Sequence, residues 1–378
     1  MKHVCHISVL NPLKHTRIYY KWARSQCEMG QEVTILAQGG RDKTEDEYGV
    51  QLWGTGIFHR LSWRRLLFTW WIRAKIKAQP ADIYILHSPE LLYLGKWLKK
   101  KYKAQVVYDV HEDYQANIVA ANHYPPWLKR PLAHIVRVLE SQSIPWIDAV
   151  SYAEKCYDNI LNVPPNRKFF IRNTFSFRPV ENQMPTIALP DEPFMVFTGT
   201  IAYPWGIIET LEIWRKINQV KEIHLVVIGF APQRAILESI HQKVNEWGLN
   251  NRFHLIGGQQ YVAYVDILHA IRKCIFGTAL YHSQPNILGK VPTKVYEFMA
   301  LHKPLLYSDA LLPILDQVGD IGLHDKGQHG QELWAFFEQW QRPPFPPEQY
   351  AWEQDERELH KMHAYLSPPT DEGASLMT

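Results

Sequence analysis

The chain has 378 residues, 46% hydrophobic and 21% charged, with a formal charge of +3. That composition suits a folded protein with room for two domains of about 150–200 residues each, and it is wrong for a disordered chain. So small a net charge argues against nucleic acid as the main partner.

Cys5, Cys27, Cys156 and Cys274 are widely spaced and form no Cys-x-x-Cys pair, so they read as buried thiols in a reducing compartment. The N-terminus MKHVCHISVLNP lacks an apolar run of signal length, and no segment approaches the roughly 20 apolar residues that span a bilayer. The expectation is a cytoplasmic protein whose membrane contact, if any, is peripheral on the inner face.

From the N-terminus, short β-branched runs alternate with amphipathic segments of helix length, the pattern of parallel sheets covered by helices. The first half predicts strands at His3–Leu10, Glu32–Ala37, Asp82–His87, Gln105–Val110 and Asp148–Ser151, with helices at Arg17–Met29, Trp63–Ala78, Glu90–Lys101 and Leu128–Ser143. Asn173 to Pro193, rich in Pro, Asn and Thr, reads as an interdomain linker. The pattern restarts with strands at Phe194–Thr198, Ile223–Ile228, Phe253–Ile256, Ile275–Leu280 and Pro304–Tyr307, and helices at Ile207–Ile217, Arg234–Trp247, Val262–Arg272 and Thr293–Leu301. RPPFPP at Arg342–Pro347 ends the second unit, and a last helix follows near Glu348–Tyr365. The predicted organisation is an α/β domain over 1–172, a linker over 173–193, a second α/β domain over 194–347, a C-terminal helix over 348–366 and a loose tail over 367–378. Two such units in tandem imply a ligand cleft between them, at the C-terminal ends of their strands.

The most informative stretch is Asn286 to Asp309, NILGKVPTKVYEFMALHKPLLYSD. Pro292 suits a first helical residue, and the backbone donors around Thr293 and Lys294 then suit an anion, to which Lys294 adds charge. Val295, Phe298 and Met299 are spaced to face a sheet, which turns Thr293 and Glu297 to another side. A carboxylate beside a phosphate is repelled by it, so a neutral diol such as a ribose is its natural partner. The alternative is an ordinary amphipathic helix with one exposed Glu.

VYDVHEDY sets Asp109, His111, Glu112 and Asp113 where a strand leaves its sheet. A His there can donate to a substrate hydroxyl or act as a base; the alternative is an acidic surface turn with a structural His. In the loop Asn11 to Arg17, Thr16 could cap the next helix and Arg17 could pair with an acid, or Lys14, His15 and Arg17 could contact acceptor or phosphate. FTGTI places the amides of Gly199 and Thr200 where a phosphate can approach, and FHLIGG ends in glycines, Gly257 among them, that permit close approach beside a nucleobase.

Residues 58–79, FHRLSWRRLLFTWWIRAKIKAQ, hold Arg60, Arg64, Arg65, Arg73, Lys75 and Lys77 with no acid, interleaved with Trp63, Phe68, Trp70 and Trp71. Burial of a core-facing helix is one reading; attachment to an anionic membrane surface is the other.

Together these motifs resemble, in order along the chain, a retaining glycosyltransferase of family 4, a group 1 enzyme. Its GT-B fold has two Rossmann-like α/β domains facing each other across a cleft. The resemblance runs from His6 to about Leu323 and is carried by NPLKHTRIYYKWARSQCEMGQEVTIL, ADIYILHSPELLYLG, VVYDVHEDY, FTGTI and NILGKVPTKVYEFMALHKPLLYSD. It implies that Glu297 matches the second Glu of a Glu-x7-Glu motif and binds ribose, that Thr293 and Lys294 lie in the donor diphosphate region, and that His111 lies near the transferred sugar. Three positions depart from the pattern. Gly289 stands where the first Glu would fall, the loop from Thr200 to Gly206 lacks the usual Arg and Lys, and His15 stands where related chains often have Asp. Backbone amides of Asn286, Ile287, Leu288 and Gly289 could replace the missing carboxylate, and Lys290 or Lys294 the missing cations.

The implied activity is transfer of a sugar from a nucleotide-diphosphate sugar to a hydroxyl of a glycan or lipid-linked acceptor, with retention, in surface polysaccharide or glycolipid synthesis. No cofactor or metal is called for. Catalytic roles fall on His111, Lys294 and Glu297. Donor contacts fall on Gly199, Thr200, Gly257, residues 286–290, Thr293, Lys294 and Glu297; acceptor contacts fall on Lys14, His15, Arg17 and Glu112. The rival is a non-catalytic GT-B glycan-binding or scaffold protein that has lost part of the donor site, and a nucleotide-sugar epimerase is a third reading.

Overall fold

The structure, a computed structural model, describes residues 1–56, 64–120, 124–180, 182–284, 287–340 and 351–367, with backbone alone at 64–67 and 69. The chain divides into two compact units, Met1–Ser176 together with the segment beginning at Trp352, and Phe177–Ala351.

In the first unit, β1 (His3–Pro12) pairs in parallel with β2 (Glu32–Gln38) on one side and β5 (Ile83–Leu86) on the other. With β3 (Lys43–Glu45), β4 (Val50–Gly54), β6 (Gln105–Val110), β7 (Ala149–Tyr152) and β8 (Lys168–Phe170), the strand order is β3-β4-β2-β1-β5-β6-β7-β8. The β3–β4 pair is antiparallel. A wide-turn helix over Thr16–Ala23 runs into α1 (Arg24–Glu28); α2 (Arg64–Ala78), α3 (Leu92–Tyr102), α4 (Tyr114–Ala120) and α5 (Pro126–Ser143) follow. Strands buried on both faces carry near-continuous apolar runs, as Val4, Ile7 and Val9 of β1 and Ile83 to Leu86 of β5 show. One sheet face packs on Phe68, Ile72 and Ile76 of α2 and Leu92, Leu94 and Leu98 of α3. His15, not Thr16, is the N-cap of the helix after β1, and no side-chain bond caps it.

In the second unit, β9 (Phe194–Thr200), β10 (His224–Phe230), β11 (Phe253–Gly258), β12 (Gly277–Ala279), β13 (Leu305–Tyr307) and β14 (Gly322–His324) form a parallel sheet in the order β11-β10-β9-β12-β13-β14. Its helices are α6 (Ile207–Asn218), α7 (Arg234–Glu246), α8 (Tyr264–Lys273), α9 (Thr293–Ala300), α10 (Leu315–Val318) and α11 (Gly330–Glu338). Val295 and Phe298 of α9 are buried as expected, whereas Met299 is half-buried.

The final helix, α12 (Trp352–Tyr365), belongs to the first unit rather than standing apart. Trp352, Leu359, Met362 and Leu366 join Val4, Trp22, Ile83, Ile85 and Val107 in one core on the sheet face opposite α2 and α3. The segment read as an interdomain linker is held at two points. Thr174 Oγ1 donates to Asp355 Oδ2 at 2.5 Å and the Trp352 amide to the Phe175 carbonyl at 2.8 Å. Thr186 donates from both amide and hydroxyl to Asp266 of α8. Residues 341–350 and 368–378, where the Pro-rich terminator and the tail were read, lie outside the described residues.

Gly277 lets α9 sit against β12: a Cβ built there would lie 2.1 Å from Cζ of the fully buried Phe298. Overpacking of this kind costs about 1–3 kcal/mol. Gly277→Ala is therefore expected to lower the unfolding free energy by that amount, read as a lower urea midpoint, and Phe298→Leu in the same chain to restore part of it. An unchanged midpoint would show that α9 is not held by this contact.

Candidate active site

Strand order reverses beside β1 in the first sheet, between neighbours β2 and β5, and beside β9 in the second, between β10 and β12. Such switch points are where open α/β sheets bind ligands, at strand C-terminal ends. Helix-leading His15 follows β1, His87 follows β5 and His111 follows β6.

At the centre of the first site is Asp109, fully buried. Arg17 grips it with two bonds, Nη2 to Oδ1 at 2.8 Å and Nε to Oδ2 at 3.0 Å. Burial alone would raise the Asp109 pKa, but Arg17 and then His111 overcome it and hold the carboxyl well below its usual range. Arg17 spends its other donors on the carbonyls of Ile171 at 2.8 Å and Arg172 at 3.0 Å. The expectation that Arg17 contacts acceptor or phosphate is thus corrected: at 1% exposure it is the structural partner of Asp109.

His111 Nε2 lies 2.5 Å from Asp109 Oδ2. An ionised carboxylate only accepts, so Nε2 carries the hydrogen and Nδ1 is the nitrogen left to accept a proton or a hydroxyl hydrogen. Behind it runs a chain of buried rings and amides. His87 Nδ1 is 2.8 Å from His111 Nε2, His87 Nε2 is 2.9 Å from His6 Nδ1, and His6 Nε2 is 2.6 Å from Gln26 Oε1. Gln26 Nε2 then lies 2.9 Å from His363 Nε2 on α12. Burial pushes His6 and His363 down to about 3 and His87 to about 4, so these rings are neutral near pH 7.

Ligand atoms of His87, Asp109 and His111 lie close enough together to raise the question of a metal. Two arguments count against that use. Their mutual distances of 2.5, 2.8 and 3.1 Å are hydrogen-bond lengths, shorter than the roughly 3.3 Å between ligands of a tetrahedral zinc. A dication would also sit beside the Arg17 guanidinium.

His15 stacks on His111 with ring centres 6.1 Å apart, and its Nδ1 is buried without a partner. Burial, then the nearby His111, Lys21 and Arg17, push it down to about 3. Lys14 is exposed, 5.4 Å from the Tyr19 ring, and exposed Glu112 accepts from Asn117 Nδ2 at 2.6 Å. His15 is brought beside His111; Lys14 and Glu112 face their own local partners.

In the second unit, Gly199 of β9 pairs with Gly229 of β10, which pairs with Gly257 of β11. A Cβ at Gly229 would lie 1.7 Å from the Gly199 carbonyl oxygen, and one at Gly257 2.4 Å from that of Gly229. The row leaves a floor of bare backbone at the strand ends, with exposed Thr200 next to it. Pro292 is the N-cap of α9 rather than its first residue, and Thr293, the first, is exposed. Lys294 is buried with Nζ 4.6 Å from the centre of the Phe197 ring and 5.4 Å from that of Tyr281; desolvation pulls its pKa to about 8 against the opposing pull of Glu297. Glu297 is buried and accepts at Oε1 from the Tyr264 hydroxyl at 2.9 Å. The proposed amide substitute for the missing Glu is reduced. Ile287 and Leu288 both donate to the Gln284 carbonyl, Lys290 donates to that of Ile287, and Asn286 lies outside the described residues. Gly289, with φ +77°, forms the turn between them.

Asp109 stood out in VYDVHEDY without a role of its own, and His87, His6, Gln26, His363, Gly229 and Tyr264 were not singled out as site residues from the sequence. The available signal was polarity out of place: a His inside the apolar run VCHISVL, and another ending IYIL.

Two α/β units, each built on a sheet with a switch point, make the GT-B fold. Residues 16–173 match the family described as a glycosyl transferase 4-like domain. It is similar in structure to sucrose-phosphate synthase from Thermosynechococcus elongatus, with TM-score 0.71, 15% identity, and coverage of 98% of this chain and 100% of that one. It is also similar to the Anabaena protein HepE in complex with UDP and glucose, with TM-score 0.63, 12% identity, and 96% and 100% coverage. The catalytic domain of starch synthase IV from Arabidopsis thaliana, bound to ADP and acarbose, gives TM-score 0.59 at 10% identity, with 99% and 97% coverage. Among curated proteins no sequence match was found.

The neutral histidine chain predicts acid lability. Folded pKa values of about 3 to 4 for His6, His87 and His363 lie below the roughly 6.5 of an unfolded His, so the unfolded chain binds more protons as pH falls below that value. Stability is then present above pH ~6.5 and lost on the way down to the folded values, by up to roughly 1.4 kcal/mol per pH unit for each ring. Urea midpoints at pH 7.5, 6 and 5 are expected to fall steeply; a flat profile would mean that the rings are already charged in the native state.

Proposed function

We propose that the chain transfers a sugar from a nucleotide-diphosphate sugar to a hydroxyl of a glycan or lipid-linked acceptor, with retention at the anomeric carbon. The observation that carries this reading is α9, which sets a buried lysine and a buried carboxylate one turn apart. HepE with UDP and glucose, and starch synthase IV with ADP and acarbose, support a nucleotide-sugar donor.

As the bond from the anomeric carbon to the diphosphate breaks, charge grows on the leaving oxygen. Preorganised charge acts most strongly there. Lys294, at the amino end of α9, supplies it, and the glycine row lets backbone approach the phosphates. Glu297, held by Tyr264, accepts from the ribose hydroxyls. His111 orients the sugar or acceptor hydroxyl through Nδ1, and the positive character it gains there is matched by Asp109. This arrangement needs neither cofactor nor metal, because fixed donors do what a cation would do.

The non-catalytic GT-B reading draws on two observations: the turn before α9 uses the Ile287 and Leu288 amides internally, and Gly289 brings no carboxylate. Activity separates the two, and product analysis would reveal an epimerase.

Loss of hydrogen bonds to a charged group costs about 1.5–3 kcal/mol, so Glu297→Ala should weaken nucleoside-diphosphate binding by that amount in calorimetry, without unfolding. Unchanged affinity in a folded variant removes Glu297 from the site. Lys294→Ala and His111→Ala should each slow transfer at least about tenfold, or 1.4 kcal/mol of barrier, while EDTA leaves the wild type unaffected. Activity abolished by chelation and restored by a divalent ion would contradict the leaving-group mechanism.

A further inference from the structure

The segment first suspected of touching a membrane, residues 58–79, is only partly available for it. Residues 57–63 lie outside the described residues, and Phe68, Ile72 and Ile76 of α2 are core. Arg73 sits 5.0 Å from the centre of the Trp97 ring and Lys75 4.0 Å from that of Trp53. These cations cover aromatic faces of their own unit.

A different helix of the first unit has the surface that α2 lacks. On α5, Ala133, Glu140 and Ser143 face inward. Its outward side carries two parallel stripes at helical spacing. One is apolar, with Trp127 at 76% exposure, Pro131, Ile135 at 61% and Val138 at 36%. The other is polar and carries two cations: Arg130 and Arg137, with His134 between them, all exposed. From Tyr114 to Ser143 the only acid in the sequence is Glu140, which is buried and accepts from the Tyr108 hydroxyl at 2.8 Å. The nearest acids before the hairpin are Glu112, bonded to Asn117, and Asp113, which accepts from the Ala116 amide. Helix α4, which packs on α5, has no fully buried residue and adds exposed Val119.

A globular helix normally turns its large apolar residues inward. Here Trp, Ile and Val face out beside arginines, which is the division of an interfacial helix. Apolar side chains enter the acyl boundary and the cations meet the headgroups. Charge fixes the occupant: a helix that exposes arginines while its one acid is buried repels a second copy of itself and attracts an anionic leaflet.

We propose that α5, with Val119 of α4, is a membrane-docking surface for anionic lipid. α4 begins three residues after His111, so docking brings the first-unit site to the lipid surface. The surface stands independently of whether a sugar is transferred, because its chemistry lies in side chains outside the proposed site.

The test is co-sedimentation of the full chain with vesicles of phosphatidylglycerol and phosphatidylcholine, or of phosphatidylcholine alone. Binding is expected to the anionic vesicles at low salt and to weaken at high salt. Arg130→Glu with Arg137→Glu should lower partitioning more than tenfold, Ile135→Ser with Val138→Ser should lower it as well, and Arg73→Glu should leave it unchanged. Acyl-chain-brominated phosphatidylglycerol should quench tryptophan fluorescence in the wild type, and much less in Trp127→Phe. Nucleoside-diphosphate binding should be the same in all these variants, which separates failure here from failure of the donor site. Wild-type protein left in the supernatant, quenching that persists in Trp127→Phe, or a dimer by light scattering that Ile135→Ser dissolves would each overturn the proposal; the last would make the face a contact between copies.

Discussion

Everything in the first unit's site hangs on one buried negative charge. Asp109 has no solvent to stabilise it, so its ionisation depends on the two bonds from Arg17. Removing one partner of such a pair strands the other and costs about 3–5 kcal/mol, more than the intact pair contributes over an apolar substitute. The pair is better understood as a positioning device than as a source of stability. It ties the wide-turn helix after β1 to the end of β6, and it presents an oxygen that fixes which nitrogen of His111 holds the hydrogen.

The same charge organises what lies behind it. His87, His6, Gln26 and His363 each have one ring or amide partner on either side, and desolvation keeps the three rings neutral. A continuous hydrogen-bonded chain thus joins His111 to α12, which also closes the sheet face that would otherwise expose Val4, Ile83 and Val107. The last helix is therefore part of the first site's foundation. The second unit works by the opposite means. Where the first fills its switch point with charge and imidazole, the second empties it, with three glycines in register and a lysine pressed on aromatic rings.

The sequence by itself determined the alternation of strands and helices, and with it two parallel α/β units, because burial on both faces demands apolar runs that no other arrangement tolerates. Gln105–Val110 was predicted with the bounds observed, and Thr293–Leu301 to within one residue. β3 escaped because a three-residue exposed edge strand such as Lys43–Glu45 has no apolar period to read. α4 escaped because it buries no residue completely. His111, Lys294 and Glu297 were legible because polar groups at the end of a strand or helix stand out from the period around them. Tertiary structure alone decided the rest. Arg17 could pair or bind, and only the distance to Asp109, 92 residues away, chose between them. Gly199 and Gly257 were each weak in isolation, and strand register made them a row through Gly229. α12 looked like an appendage until its apolar stripe met a sheet more than 180 residues upstream. Local pattern fixes what a segment becomes; contacts between distant segments, which leave no period in the sequence, decide what its side chains do.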